Sequence, residues 1–206
     1  MSTKVKICGI TSIADGLAAA EAGADMIGLM LYDKSPRHVS IETAAAISAA
    51  LPPFVVRVGV FVNPSEDLVL RAIADCGVTL LQFHGDETSE FCSQFGAMSM
   101  KAFRIKDAQS LEELPKFSTD AYLLDAYSAN GLGGTGEQFN WNLAIEARKF
   151  GRPIFLAGGL TPANVAAAVK QVQPFAVDVS SGVESAPGKK DSAKVRNFIA
   201  AAKATV

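Results

Sequence analysis

Cys8 and Asp125 each close a short apolar run, where a side chain able to give or take a proton could do chemistry. Cys8 ends Val5–Cys8, directly before Gly9. A free thiol near pKa 8.5 is about 3% thiolate at pH 7, and an ammonium such as that of Lys6 would raise the fraction. A cysteine so placed can act as a general base. The other reading is a buried apolar thiol, which is also the expectation for Cys76 and Cys92 inside predicted helices. Asp125 follows Leu123 and Leu124 and precedes a stretch from Ala126 to Asn140 that holds Gly131, Gly133, Gly134 and Gly136. An ordinary aspartic acid is about one part in a thousand protonated at pH 7, so an acid role needs apolar surroundings and a covering loop. Capping a loop or helix is its other use.

A second chemistry is suggested further along. Ala157-Gly158-Gly159-Leu160 follows one late apolar run and Ser180-Ser181-Gly182 follows the next. Glycines let backbone approach an anion, and small residues leave amide N–H groups free to point at its oxygens. Either segment alone could be an ordinary turn. Two of them at successive run ends favour a phosphate.

The elements that must position these groups alternate regularly. Predicted strands are Val5–Cys8, Met26–Leu31, Val55–Val62, Thr79–His84, Met100–Arg104, Ala121–Asp125, Pro153–Ala157 and Phe175–Val179. Predicted helices lie near Ser12–Ala22, Ile41–Ala50, Ser65–Cys76, Thr88–Phe95, Asp107–Leu114, Trp141–Phe150, Thr161–Gln171 and Asp191–Ala202. Ser65, Thr161 before Pro162, and Asp191 are start signals, and Gly23, Gly77 and Gly151 are stop signals. Eight βα units in 206 residues favour one (β/α)₈ TIM barrel, spanning residues 1–206 as a single domain, over an open doubly wound sheet. No G-x-G-x-x-G follows the first strand. In such a barrel chemistry sits at the C-terminal strand ends, and phosphate often binds after strands seven and eight.

Alternate strand residues face the barrel interior. Lys6 and Cys8 share a face of strand one. Arg57, Gly59, Phe61 and Asn63 share one in strand three, Gln82 and His84 in strand four, and Ala176 and Asp178 in strand eight. Asp178 is then the natural counter-charge for Lys6 or Arg57. The thiol and the carboxyl are expected to face each other across the mouth, with the anion anchored opposite.

Composition narrows the partners. Hydrophobic residues make up 49%, enough for a substantial core, and a net charge of −2 gives no electrostatic reason for nucleic acid or an anionic membrane. Three cysteines without metal-ligand spacing argue for a reducing compartment. The N-terminus has no secretory h-region and no run is long enough to span a bilayer, so a cytoplasmic location is expected. A monomer is the default expectation, with a dimer possible.

Together the residues resemble the phosphoribosylanthranilate isomerase family. The matching stretches are Lys6-Ile7-Cys8-Gly9-Ile10-Thr11, Ser35-Pro36-Arg37, Val58 to Asn63, Gln82-Phe83-His84-Gly85, Leu124-Asp125, Gly133-Gly134-Thr135-Gly136, Ala157 to Leu160, Val177 to Glu184 and Pro187 to Asp191. They run in order along nearly the whole chain. The resemblance implies an Amadori rearrangement of N-(5′-phosphoribosyl)anthranilate, with no metal and no redox cofactor, in tryptophan biosynthesis. It implies Asp125 as general acid on the furanose oxygen and Cys8 as general base at C2′. Arg37 would meet the anthranilate carboxylate. Gly158, Gly159, Ser180 and Ser181 would hold the phosphate. Asp178 would be a supporting polar residue and His84 a pocket-wall residue. One departure is Asn140, in Phe139-Asn140-Trp141, where the family has Asp; asparagine can still cap the following helix. Rivals are a ribulose-phosphate epimerase or histidine-pathway isomerase, and a non-catalytic phosphate-binding barrel. The epimerase needs a metal set that His38 and His84 barely supply. The non-catalytic barrel needs no acid and base at two other strand ends.

Overall fold

Runs such as Ala121–Leu124 are apolar at every position because each strand lies between the barrel interior and a surrounding layer of helices. The computed structural model describes residues 2–126 and 140–204. Eight parallel strands close into a barrel in sequence order, β1 (Lys4–Cys8), β2 (Met26–Met30), β3 (Val56–Phe61), β4 (Leu80–Phe83), β5 (Met98–Ile105), β6 (Ala121–Ala126), β7 (Ile154–Leu156) and β8 (Ala176–Val179). β8 returns to β1, and this closing pair sets Lys6 against Asp178 in register.

The helices are α1 (Ile13–Glu21), α2 (Ile41–Ala50), α3 (Glu66–Cys76), α4 (Ser89–Ser93), α5 (Trp141–Ala147), α6 (Val165–Val172) and α7 (Ser192–Lys203). Their starts follow capping chemistry. Ser12, Ser40, Ser65, Thr88 and Asp191 each accept a hydrogen bond from a backbone N–H of the first turn. Asn140 accepts from the N–H of Asn142, so the asparagine does cap α5. Two expectations are corrected. Thr161–Pro162 opens a single turn rather than α6: the carbonyl of Thr161 accepts from the N–H groups of Asn164 and Val165, and the helix begins after Asn164. The segment after β5 is a 3₁₀ helix, Gln109–Lys116, with Pro115 inside it. Proline has no N–H to donate along any helix, so no unbroken hydrogen-bond ladder runs through Pro115.

Inside the ring, Cys8, Met26, Val58, Val60, Leu80, Met100, Leu123 and Phe155 form one buried cluster, separate from the larger cluster between strands and helices. This corrects the phase of β3. Val58 and Val60 face inward, while Phe61 faces outward and stacks on Phe83 with ring centroids 5.8 Å apart. Arg57 is therefore not a barrel cation. Its guanidinium donates to the carbonyls of Leu51 at 2.8 Å, Pro52 at 2.9 Å and Ser48 at 3.1 Å, fastening the turn after α2. Lys6 alone of the two cations meets Asp178. After β8 the chain makes a short 3₁₀ turn, Ser181–Val183, then a hairpin of β9 (Glu184–Ala186) and β10 (Lys189–Lys190). Among the described residues no helix is long and apolar enough to cross a membrane.

Candidate active site

The C-terminal strand ends surround a cavity of about 240 Å³ that draws residues from seven of the eight strand ends or the loops after them. Cys8 and Asp125 both line it, as do the two small-residue loops through Gly158, Gly159, Ser180 and Ser181. Arg37, His84 and Asp178 complete the expected set, so all nine predicted residues meet in one place. One detail of the layout differs from expectation. β6 and β1 are separated only by β7 and β8 on the shorter arc of the ring. The anion loops, which follow β7 and β8, thus lie between thiol and carboxyl rather than opposite them.

Those loops are pressed together. A Cβ on Gly182 would stand 2.0 Å from the carbonyl oxygen of Leu160, a backbone atom that cannot step aside. Gly158 and Gly159 take φ values of 79° and 67°, which turn the chain sharply after β7. The Ser181–Val183 turn starts with amides that no intrahelical bond uses. Gly182→Ala is expected to cost about 1–3 kcal/mol by forced displacement, lowering Tm by roughly 2–12 °C in thermal unfolding. It should also raise KM for a phosphorylated substrate, and an unchanged Tm and KM would show that the loops are not in contact.

Around Cys8 the charges are closely set. Lys6 is fully buried, with Nζ 2.7 Å from Asp178 Oδ1. Burial pulls Lys6 down, but the charges of Asp178 and Cys8 more than offset it and hold the ammonium above its ordinary pKa. For Cys8 the balance goes the other way. Burial pushes the thiol up, Asp178 adds to the rise, and Lys6 and Lys190 only partly pull it back. Lys6 acts in the expected direction, yet the net thiolate fraction at pH 7 falls below the free-thiol value of about 3%. The structure leaves Cys76 and Cys92 as buried free thiols in α3 and α4. Burial lifts Cys92 to about 12.

Asp125 heads a different chain. Its Oδ2 lies 3.5 Å from Nε2 of His84, and Nδ1 of His84 lies 3.2 Å from Nε2 of Gln82. The three side chains thus form one line from Gln82 through the His84 ring to the Asp125 carboxyl. Gln82 Oε1 is buried with no hydrogen-bond partner among the described residues. The glycine-rich segment expected to cover Asp125, with Gly131, Gly133, Gly134 and Gly136, lies outside the described residues.

Arg37 is already half engaged. Its Nε and Nη2 donate to Oε1 and Oε2 of Glu184 at 2.8 Å and 2.7 Å. Glu184 in turn accepts from Nζ of Lys190 at 2.8 Å. Gly9 allows this crossing: at φ 74° it carries no Cβ, which would stand 2.6 Å from Cδ of Arg37. Neither Glu184 nor Lys190 was singled out in the sequence. The turn pair Pro187-Gly188 was the available signal, because it folds β10 back on β9 and brings both residues under Arg37. Met30, Tyr32, Val60 and Val62 give the cavity an apolar wall.

Comparison with known proteins agrees with this geometry. A family model described as N-(5'phosphoribosyl)anthranilate (PRA) isomerase matches residues 5–201. The N-(5'-phosphoribosyl)anthranilate isomerase of Geotalea uraniireducens (strain Rf4) is 55% identical over 201 residues, 98% of each chain. A crystal structure of phosphoribosyl anthranilate isomerase in complex with reduced 1-(o-carboxyphenylamino)-1-deoxyribulose 5-phosphate is 40% identical. It superposes with a TM-score of 0.88, covering 98% of this chain and 99% of that one. A structure described as mutually generated monomers of the dimeric enzyme from Thermotoga maritima is 39% identical, with a TM-score of 0.88 and the same coverage.

Proposed function

The chain belongs to the N-(5'-phosphoribosyl)anthranilate isomerase family, and from that premise we propose how its own residues carry the reaction. The activity is the Amadori rearrangement of N-(5′-phosphoribosyl)anthranilate to 1-(2-carboxyphenylamino)-1-deoxyribulose 5-phosphate, a step of tryptophan biosynthesis. One observation carries the assignment of roles: Cys8 and Asp125 line the same cavity, with the two anion loops between them on the ring.

The phosphate sits on the backbone of Gly158, Gly159, Ser180 and Ser181, which fixes the sugar between the two groups. Asp125, in its acid form, gives its proton to the ring oxygen. The C1′–O bond breaks as the nitrogen lone pair forms C1′=N, opening the furanose to a protonated Schiff base. The Cys8 thiolate then removes the C2′ proton, and the C–H electrons form C1′=C2′ while the imine pair returns to nitrogen. The enolamine tautomerises: the C2′ hydroxyl proton returns to Asp125 and the thiol proton goes to C1′. Both groups end as they began and no electron leaves the substrate, so the sequence balances without a metal or redox cofactor. His84 holds the Asp125 carboxyl through the contact at 3.5 Å, and Asp178 holds Lys6 beneath Cys8 at 2.7 Å.

Anthranilate lies along the apolar wall of Met30, Tyr32, Val60 and Val62, with its carboxylate at the free edge of Arg37. A guanidinium binds two carboxylate oxygens with fixed geometry, and Nη1 has no partner among the described residues. The same reading keeps residues 1–206 as one domain, a cytoplasmic location, and a monomer, with the dimer of the Thermotoga maritima relative as the alternative that size-exclusion chromatography decides. The functional test is direct conversion: purified protein given phosphoribosylanthranilate yields the ketose isomer on chromatography. A protein that binds the substrate without converting it would instead be the non-catalytic phosphate-binding barrel.

A further inference from the structure

Behind Arg37 lies a buried ionic cluster that none of the proton transfers uses. We propose that Glu184 and Lys190 are positioning residues that make Arg37 an oriented, net-positive receptor for the substrate carboxylate; the inference rests on assigning that carboxylate to Arg37. The orientation comes from Glu184. Both its oxygens are taken by one edge of the guanidinium, at 2.8 Å and 2.7 Å, which fixes the plane of the group and leaves its other edge. The carboxylate is itself held, because its side chain is only 5% exposed and Oε1 also accepts from the N–H of Gly188 at 3.3 Å.

A carboxylate alone would defeat the purpose. Paired one to one, Glu184 would cancel the charge of Arg37 and leave little pull on a second carboxylate. Lys190 removes that difficulty. Its side chain is 2% exposed, and its Nζ meets Glu184 Oε1 at 2.8 Å, the carbonyl of Ser180 at 3.3 Å and the hydroxyl of Ser180 at 3.5 Å. Three acceptors match the three protons of an ammonium. Two cations and one anion then leave one net positive charge at the rim of the cavity, in a setting with little water to screen it. The same Lys190 touches Ser180, so the carboxylate receptor and the phosphate loop share one fastening point.

The experiment compares kcat/KM for phosphoribosylanthranilate with that for N-(5′-phosphoribosyl)aniline, which lacks the carboxylate. Wild type should prefer the carboxylate-bearing substrate, and Arg37→Ala should abolish the preference. Glu184→Gln and Lys190→Met should each cut the preference at least about tenfold, through KM for phosphoribosylanthranilate. Lys190→Arg, which keeps the charge, should restore most of it. If Glu184→Gln or Lys190→Met lowers both substrates in parallel, or leaves the preference intact, that residue is merely structural and the inference is overturned. If Arg37→Ala itself keeps the preference, the carboxylate assignment fails and this inference fails with it. Should Glu184→Gln not fold, the Lys190 pair decides alone, since both leave the Arg37–Glu184 contact in place.

Discussion

Cys8→Ala is expected to lower kcat/KM for phosphoribosylanthranilate by at least about a hundredfold, the lower end of what a general base contributes. The loss is chemical rather than conformational. Replacing the thiol leaves a small void beside Gly28, where a Cβ would stand 2.8 Å from Sγ. Such a void costs on the order of 1 kcal/mol, a shift of roughly 2–4 °C in Tm. Cys8→Ser should lose as much, because a serine hydroxyl fills the site but ionises far less readily. The thiol itself carries a further signature. Burial holds the Cys8 thiol up, so the rate at which iodoacetamide alkylates it, taken as wild type minus Cys8→Ala, should rise with pH, approaching tenfold per unit from pH 7 towards 9. The charged groups that bear on Cys8 are Lys6, Asp178, Arg37 and Lys190. Burial draws Lys190 down against the pull of Glu184, so the rise should flatten where that ammonium is lost. An alkylation rate flat from pH 6.5 to 9 would mean a thiol already ionised near neutrality and would overturn this charge balance.

The particulars of Cys8 show what could be read in advance. Its place at the end of β1 was legible because an apolar run, a glycine and a capped helix follow one another within a few residues. Its charge balance was not. The sequence puts Lys6 two residues away and offers Asp178 as its counter-charge, but it does not reveal that this carboxylate, 2.7 Å from the ammonium, also pushes the thiol up. Burial then decides the direction. The phase of β3 failed for a related reason. Val56, Val58 and Val60 alternate with Arg57, Gly59 and Phe61, so both faces are largely apolar and alternation carries no information. An arginine was assigned inward where its guanidinium in fact binds the carbonyls at the end of α2.

Arg37 is the complementary case. Its position on the loop after β2 was legible from the resemblance, whereas its engagement with Glu184 depends on a contact 147 residues away in sequence. The hairpin of β9 and β10 makes that contact, and hairpins of two or three residues leave little periodic trace. The seven- and eight-strand loops were easier because their function demands small residues. Gly182 cannot be anything larger beside the Leu160 carbonyl, so sterics wrote the site into the composition of the chain.

Asp125→Asn should produce a loss of the same order, at least about a hundredfold in kcat, but at a different bond. The amide keeps the size of the side chain and its place 3.5 Å from His84, so the cavity persists. It has no carboxylic proton to give the ring oxygen, so opening of the furanose becomes the slow step. Substrate carrying deuterium at C2′ separates this from the cysteine defect. In Cys8→Ala the C–H bond at C2′ breaks in the slow step, and the residual rate should show a full primary isotope effect. In Asp125→Asn the slow step precedes that bond, and the effect should collapse towards unity. A large isotope effect in Asp125→Asn would place the carboxyl at the C2′ proton instead and exchange the two roles.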